Sequence, residues 1–262
     1  MRTARAEGVD PLELVRAKGA TSVSVCLPAR NEAATVGAIV TSIVHHLVEG
    51  HPLVDEVVVV DDGSTDATAE VARRAGARVV ATTSPDGKGG ALRTSLAAST
   101  GDLVVWCDAD ILDFQASFVI GLLAPLLGDP SVDFVKARYR RDLNGEADEG
   151  GRVTELVARP VLARLFPHLS GFAQPLAGEY GGRRSLLEQL TFVPGYGVDL
   201  GLLIDIAARV GVGAMVQVDL GRRAHRNRPL AELVPQADAV LAVALDRAGI
   251  RTRQPFWPPE RL

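Results

Sequence analysis

Glu56-Val57-Val58-Val59-Val60-Asp61-Asp62-Gly63-Ser64-Thr65-Asp66 is the stretch that decides the fold. Its four consecutive valines leave no polar face, so the strand they form is covered on both sides. The strand stops in carboxylates, a glycine and hydroxyls. Ser64, Thr65 and Asp66 are helix-capping residue types, and a helical pattern from Asp66 to Ala75 follows, closed by Gly76. An apolar strand, a polar tip and a capped helix make one βα unit.

The unit recurs on either side. Val23-Ser24-Val25-Cys26-Leu27 reads as a buried strand stopped by Pro28, and residues 32–48 carry Val36, Ile39, Val40, Ile43, Val44 and Leu47 at helical spacing. Arg78 to Ala81 is a short strand, Gly90 to Ser99 a helix, and Leu103 to Trp106 a further buried strand that runs into Asp108-Ala109-Asp110. Strands without alternation, interleaved with helices, indicate the α/β class. The expected architecture is a Rossmann-like, mostly parallel central sheet with helices on both faces. Ligands in that class bind beyond the carboxyl ends of the strands. Pro28–Glu32, Asp61–Asp66 and Asp108–Asp110 all fall there, and a sheet's own needs do not explain that clustering.

The second half is less regular. Val132 to Tyr139 reads as a strand with a basic end (Lys136, Arg138, Arg140, Arg141), and residues 142–151 as an acidic, glycine-rich loop and candidate lid. Residues 152–166, 183–190, 198–210 and 229–248 read as helices, and Val212 to Leu220 as a strand. The chain is thus expected to be a polar N-terminal arm (1–20), a single domain (21–250) with halves at 21–140 and 141–250, and a C-terminal tail (251–262).

Composition narrows the function. Aromatics are 5% of the 262 residues and the formal net charge is -4, which disfavours nucleic acid and anionic membranes as partners. No apolar run approaches the roughly 20 residues of a membrane span, and residues 1–20 hold no signal-peptide core. Cys26 and Cys107 each sit in an apolar run and read as small buried hydrophobes, which favours the cytoplasm.

Asp108 and Asp110 follow a buried strand directly. Two carboxylates held together need a cation, and a hard divalent ion would leave positions open for a substrate phosphate; solvated capping aspartates are the bland alternative. Asp61 and Asp62 sit where a base or ribose can be held, whereas Asp66 reads as a helix cap. Pro28-Ala29-Arg30-Asn31-Glu32 precedes a helix whose N-terminus suits an anion, although Asn31 also suits an N-cap. Gly87-Lys88-Gly89-Gly90 is no triphosphatase loop, because Thr82 stands where a glycine is needed and Gly89 where Ser or Thr is needed. A lysine among glycines still suits a diphosphate. Gly195-Tyr196-Gly197-Val198-Asp199-Leu200-Gly201 does not fit a dinucleotide fingerprint. His225 lies in a basic stretch (Arg222, Arg223, Arg226, Arg228) and would need a distant partner to bind metal; Asp110 could supply one.

The order of these motifs resembles the nucleotide-diphospho-sugar transferase fold of the GT-A type, from residue 20 to residue 230. Gly151-Arg152-Val153-Thr154-Glu155-Leu156-Val157-Ala158-Arg159-Pro160, Gln174-Pro175-Leu176, Gly178-Glu179-Tyr180, the 195–201 stretch and His225-Arg226-Asn227-Arg228-Pro229-Leu230 are similar to the glucosyl-3-phosphoglycerate synthase family. That resemblance implies a metal-dependent, retaining hexosyltransferase with a DXD motif. It would move glucose from UDP-glucose to the 2-hydroxyl of 3-phosphoglycerate, in glucosylglycerate biosynthesis, and would work as a homodimer. Pro28, Ala29, Arg30, Glu32, Asp62, Lys88, Asp108 and Ala109 would bind the donor. Asp110 and His225 would hold Mg or Mn. Gly151, Arg152, Thr154 and Asn227 would bind the acceptor, and Asp108, Tyr196 and Asp199 would serve catalysis at the sugar. The sequence departs from the family pattern at Arg30, where an apolar residue is usual, at Ala33, and at Asp199, where glutamate is common. GDP-glucose or GDP-mannose donors and another small anionic acceptor therefore stay open. So does a non-enzymatic sensor of nucleotide sugars, which the intact Asp108, Asp110 and His225 disfavour.

Overall fold

The computed structural model describes residues 1–82, 86–143, 146–148, 151–223 and 230–251. Its strands are β1 (Arg2–Arg5), β2 (Val23–Ala29), β3 (Glu56–Asp61), β4 (Arg78–Ala81), β5 (Leu103–Trp106), β6 (Phe134–Leu143), β7 (Glu146–Asp148), β8 (Tyr180–Arg183) and β9 (Met215–Arg223). Its helices are α1 (Pro11–Lys18), α2 (Val36–Ile43), α3 (Thr68–Arg74), α4 (Gly87–Ala98), α5 (Ala116–Gly128), α6 (Arg159–Leu165), α7 (Arg184–Leu187), α8 (Val198–Val210) and α9 (Leu230–Arg247). The strands form one sheet in the order β1-β9-β6-β8-β5-β2-β3-β4, with β7 paired to β6.

The sheet is mostly parallel, as the unalternating strands require. β8 alone on the main path is reversed, antiparallel to both β5 and β6. Successive residues of β3 enter opposite cores. Val57 and Val59 lie in one, with α2 and α5; Val58 and Val60 lie in the other, with α4, α6 and α8. Two buried faces explain why the valine run shows no polar alternation. All strands except β7 and β8 end at the same sheet edge, so Ala29, Asp61 and the turn after Trp106 are brought together there.

Several expectations change. Residues 1–20, read as an arm, contribute a strand: β1 pairs parallel with β9 from Arg2↔Val216 to Arg5↔Asp219, and Asp10 caps α1 through a hydrogen bond from Leu12 N. Polar side chains hid this strand because it is exposed along the sheet's edge. The 32–48 helix is α2 followed by a π-helical turn, Val44–Gly50. Gly87-Lys88-Gly89-Gly90 is no loop but the first turn of α4. Its Gly89 admits close packing, since a Cβ there would lie 1.8 Å from the Val193 carbonyl oxygen. Part of the expected 142–151 loop is the strand β7, antiparallel to β6. Residues 252–262, the expected tail, lie outside the described residues. No helix among the described residues is long and apolar enough to cross a membrane.

Candidate active site

At the common end of β2, β3 and β5 lies a cavity of about 350 Å³, lined by Pro28, Ala29, Arg30, Asn31, Glu32, Asp62, Gly87, Lys88, Ala91, Asp108, Asp110, Gly195 and Tyr196. Hydrogen bonds stitch its rim. Asp62 N donates to the Ala29 carbonyl (2.9 Å), Asn31 N donates to Ser64 Oγ (3.0 Å), and Asn31 Oδ1 accepts from Thr65 N (2.8 Å). Asn31 sits at φ 58, a left-handed conformation that asparagine tolerates better than most residues. It therefore joins the two strand tips and is not a helix cap. Asp66 stands one residue ahead of Ala67, the N-cap of α3, so it is not the cap expected; it braces the helix entry by accepting from Thr68 N and Thr68 Oγ1, and from Ala33 N at 3.2 Å. The Thr68 hydroxyl, above all, holds its carboxyl below the ordinary aspartate range.

Asp108 and Asp110 stand on a turn just past β5, not within a strand, so the alternation of side chains does not align them. Both still line the cavity. The turn is held by Thr35 Oγ1, which donates to the Ala109 carbonyl (2.6 Å). Ala109 itself is buried and is not among the residues lining the cavity.

Lys88 organises the floor. Its ammonium lies 3.1 Å from Asp108 Oδ1 and 3.0 Å from Asp199 Oδ2. Burial opposes the ammonium, but the Asp108 and Asp199 carboxylates outweigh it and hold the Lys88 pKa well above the usual lysine range. Asp199 is 5% exposed and also accepts from the Tyr180 hydroxyl (3.1 Å). It supports the site from behind Lys88 and does not line the cavity. Burial first, then the Asp199 charge, keeps the Tyr180 phenol protonated far above its ordinary range.

Tyr196, 45% exposed, reaches the cavity from the turn Gly195–Gly197. Gly195 N donates to the Asp86 carbonyl (2.8 Å), which docks this turn against the start of α4. Gly151, Arg152 and Thr154 are not in the cavity lining; Thr154 is buried at the head of the π-helical turn Thr154–Ala158. His225 and Asn227 lie outside the described residues. Sequence reasoning missed Gly87, Ala91 and Gly195 as lining residues, and Tyr180 and Gly178 as supports. Gly178 abuts Asp108 so closely that a Cβ there would lie 2.2 Å from both carboxylate oxygens; a glycine two residues before a tyrosine carries no signal of that.

A Rossmann-like sheet with a lysine and an aspartate-bearing turn at its strand ends fits the class of GT-A nucleotide-diphospho-sugar transferases. Comparison with known proteins narrows it. The glycosyl transferase family 2 profile matches residues 24–178. The glucosyl-3-phosphoglycerate synthase of Mycolicibacterium smegmatis is 49% identical over 249 residues, covering 91% of this chain and 81% of that protein. The Mycobacterium tuberculosis glucosyl-3-phosphoglycerate synthase, solved with Mn2+, UDP-glucose and phosphoglyceric acid, is similar with a TM-score of 0.87 at 46% identity, covering 95% of this chain and 89% of that one. The mannosyl-3-phosphoglycerate synthase of Rubrobacter xylanophilus gives a TM-score of 0.91 at 41% identity, covering 100% of this chain and 87% of that one. The chain belongs to glycosyl transferase family 2 and, within it, to the glucosyl-3-phosphoglycerate synthases.

Proposed function

We propose that the protein transfers glucose from UDP-glucose to the 2-hydroxyl of 3-phosphoglycerate with retention at the anomeric carbon. One observation carries the reading: the Lys88 ammonium, bridging Asp108 and Asp199, stands beside Asp110 in a cavity at the strand ends of a chain 49% identical to a glucosyl-3-phosphoglycerate synthase.

Pro28, Ala29, Arg30, Glu32 and Asp62 form the wall suited to the uridine. Lys88 and the amides that open α4 suit the diphosphate, since a helix N-terminus and a fixed ammonium both favour phosphate oxygens. Among the described residues no group of three or more His, Cys, Asp or Glu could hold a metal. The residues present fit one nonetheless. Asp110 opens to the cavity, and a hard divalent ion binds through one or two protein groups with substrate phosphates completing its shell. His225 is the second ligand in this reading. When bound, Mg or Mn would neutralise charge on the departing diphosphate. Arg152, Thr154, Gly151 and Asn227 receive the acceptor, for whose phosphate or carboxylate an arginine fork is suited. Asp199, enclosed by Lys88 and Tyr180, is badly placed to attack the sugar. This favours front-face attack, with the leaving diphosphate taking the acceptor proton. Asp108 orients the sugar against Lys88, and Tyr196 closes the pocket. We read the working form as a homodimer, on family resemblance, and its place as the cytoplasm, which two buried cysteines not joined in a disulfide suit.

Purified protein mixed with Mn or Mg, 3-phosphoglycerate and a panel of UDP- and GDP-sugars is expected to yield a hexosyl-phosphoglycerate from UDP-glucose, read by mass spectrometry and abolished by a chelator. Product from GDP-mannose and none from UDP-glucose would overturn the donor assignment. Nucleotide release with no such product would overturn the acceptor.

A further inference from the structure

Lys136 lies in the middle of β6, 1% exposed, on the strand face that also buries Phe134. A lysine ammonium in a core is costly unless its charge and donors are met. Here its Nζ donates to the Ala177 carbonyl (2.9 Å) and stands 4.3 Å from the centre of the Tyr180 ring. Both contacts lead to the site. The Ala177 carbonyl belongs to the peptide that enters Gly178, against which the Asp108 carboxylate is packed. The Tyr180 hydroxyl holds Asp199. Burial pulls the Lys136 pKa down to about 8; Asp199, Glu179 and Asp108 oppose that pull and Lys88 adds to it. Three of these four groups, Asp199, Asp108 and Lys88, are the ion-paired cluster at the floor of the cavity. A sheet needs none of this: an apolar side chain beside Phe134 would serve the core better.

We propose that Lys136 is a positioning residue for sugar transfer: from behind the cavity it fixes the Ala177–Gly178 peptide and the Tyr180 ring, and through them sets Asp108 and Asp199 about Lys88. It touches no substrate. Asp199, Glu179 and Asp108 all favour its charged form. Removing it leaves Lys88 to be drawn between carboxylates that are no longer held in place. This inference rests on the transfer activity proposed above.

The test compares wild type with Lys136→Met, which keeps the length of the side chain, and Lys136→Gln, which keeps a donor for the Ala177 carbonyl without the charge. Asp199→Asn and each double variant complete the cycle. Thermal melting, UDP–Mn2+ affinity by calorimetry, kcat and both KM values are measured. Transfer kcat is expected to fall by about tenfold or more while UDP–Mn2+ affinity stays within about threefold, and Asp199→Asn is expected to add little once Lys136 is gone, because residues that act as one unit are not additive. Fully multiplicative effects in the cycle, or a lower melting temperature with kcat intact, would overturn the proposal. If the methionine variant does not fold, the glutamine variant decides by the same readings. A wild type that cleaves UDP-glucose without making glucosyl-phosphoglycerate would strike the acceptor assignment alone, and the same cycle is then read on donor cleavage.

Discussion

Gly178 and Asp108 show how much one hydrogen atom can decide. Asp108 occupies its place because residue 178 has no Cβ; a methyl there would be 2.2 Å from both Asp108 oxygens. Gly178→Ala is expected to lower kcat by about a hundredfold through displacement of Asp108, with little change in melting temperature, because a misplacement of about 1 Å costs that much in an oriented site. Unchanged kinetics would show that Asp108 needs no fixed position. Lys88 lies within reach of sequence reasoning as a lone lysine among glycines. Its two carboxylate partners are 20 and 111 residues away along the chain, and only folding reveals them.

At the scale of elements, strand ends are tied by side chains as well as by the ladder. Glu56, which opens β3, accepts from Ser24 Oγ on β2 (2.7 Å) and from Arg78 on β4 (2.7 Å), and from Thr100 ahead of β5. Burial pushes its carboxyl up, but the hydrogen bonds from Arg78, Ser24 and Thr100 outweigh this and bring the pKa down to about 2 from 4.5. A depressed carboxylate contributes stability that is complete above the unfolded value and is lost as pH falls through the folded one. Glu56→Gln is therefore expected to cost about 1–2 kcal/mol at pH 7, after discounting for solvent. The difference from wild type should close between pH 4.5 and about 2, followed by thermal melting across that range. A gap that persists at the acid end would mean the amide disrupts packing instead. The turn bearing Tyr196 is set by another element: a Cβ on Gly197 would lie 2.5 Å from Val243 Cγ2 and 2.8 Å from the Ala239 carbonyl oxygen on α9. Gly197→Ala is expected to destabilise by about 1–3 kcal/mol and to lower transfer. Gly213→Ala, where a Cβ meets nothing within 4 Å, should stay within about 0.5 kcal/mol in the same denaturant titration.

At the scale of the whole molecule, β1 covers the edge of β9, pairing Arg2 to Arg5 with Val216 to Asp219. An uncovered apolar edge strand is a template for association. Deleting residues 2–6 is expected to lower the melting temperature and to give concentration-dependent association by light scattering; a deletion variant as stable and disperse as wild type would make β1 dispensable. The proposed donor cavity is a whole-molecule matter too, since Gly195, from the second half of the chain, lines it and is tied to Asp86 in the first. Chelation is expected to weaken UDP binding by about tenfold or more in calorimetry, because the diphosphate then faces Asp110 with no cation between them. Equal affinity with and without chelator would remove the metal from the donor site.

The sequence alone was enough for the layered α/β plan and for the cavity rim, because both rest on local physics. A β-branched run with no polar face must be covered twice, and carboxylates that end such a run must sit at the sheet's edge; Pro28, Glu32, Asp62, Asp108 and Asp110 were legible on that ground. Longer motifs carried the family. Tertiary structure decided the rest. β8 reads Tyr180-Gly181-Gly182-Arg183, which has little strand propensity, yet it fills the sheet between β5 and β6, where a Cβ on Gly181 would lie 2.8 Å from the Val104 carbonyl oxygen. The edge strand β1, the split of the DAD carboxylates between Lys88 and the open cavity, and the burial of Lys136 behind Tyr180 likewise have no local signature. Each is fixed by partners far away in the chain, and a contact between distant residues leaves no periodicity to read.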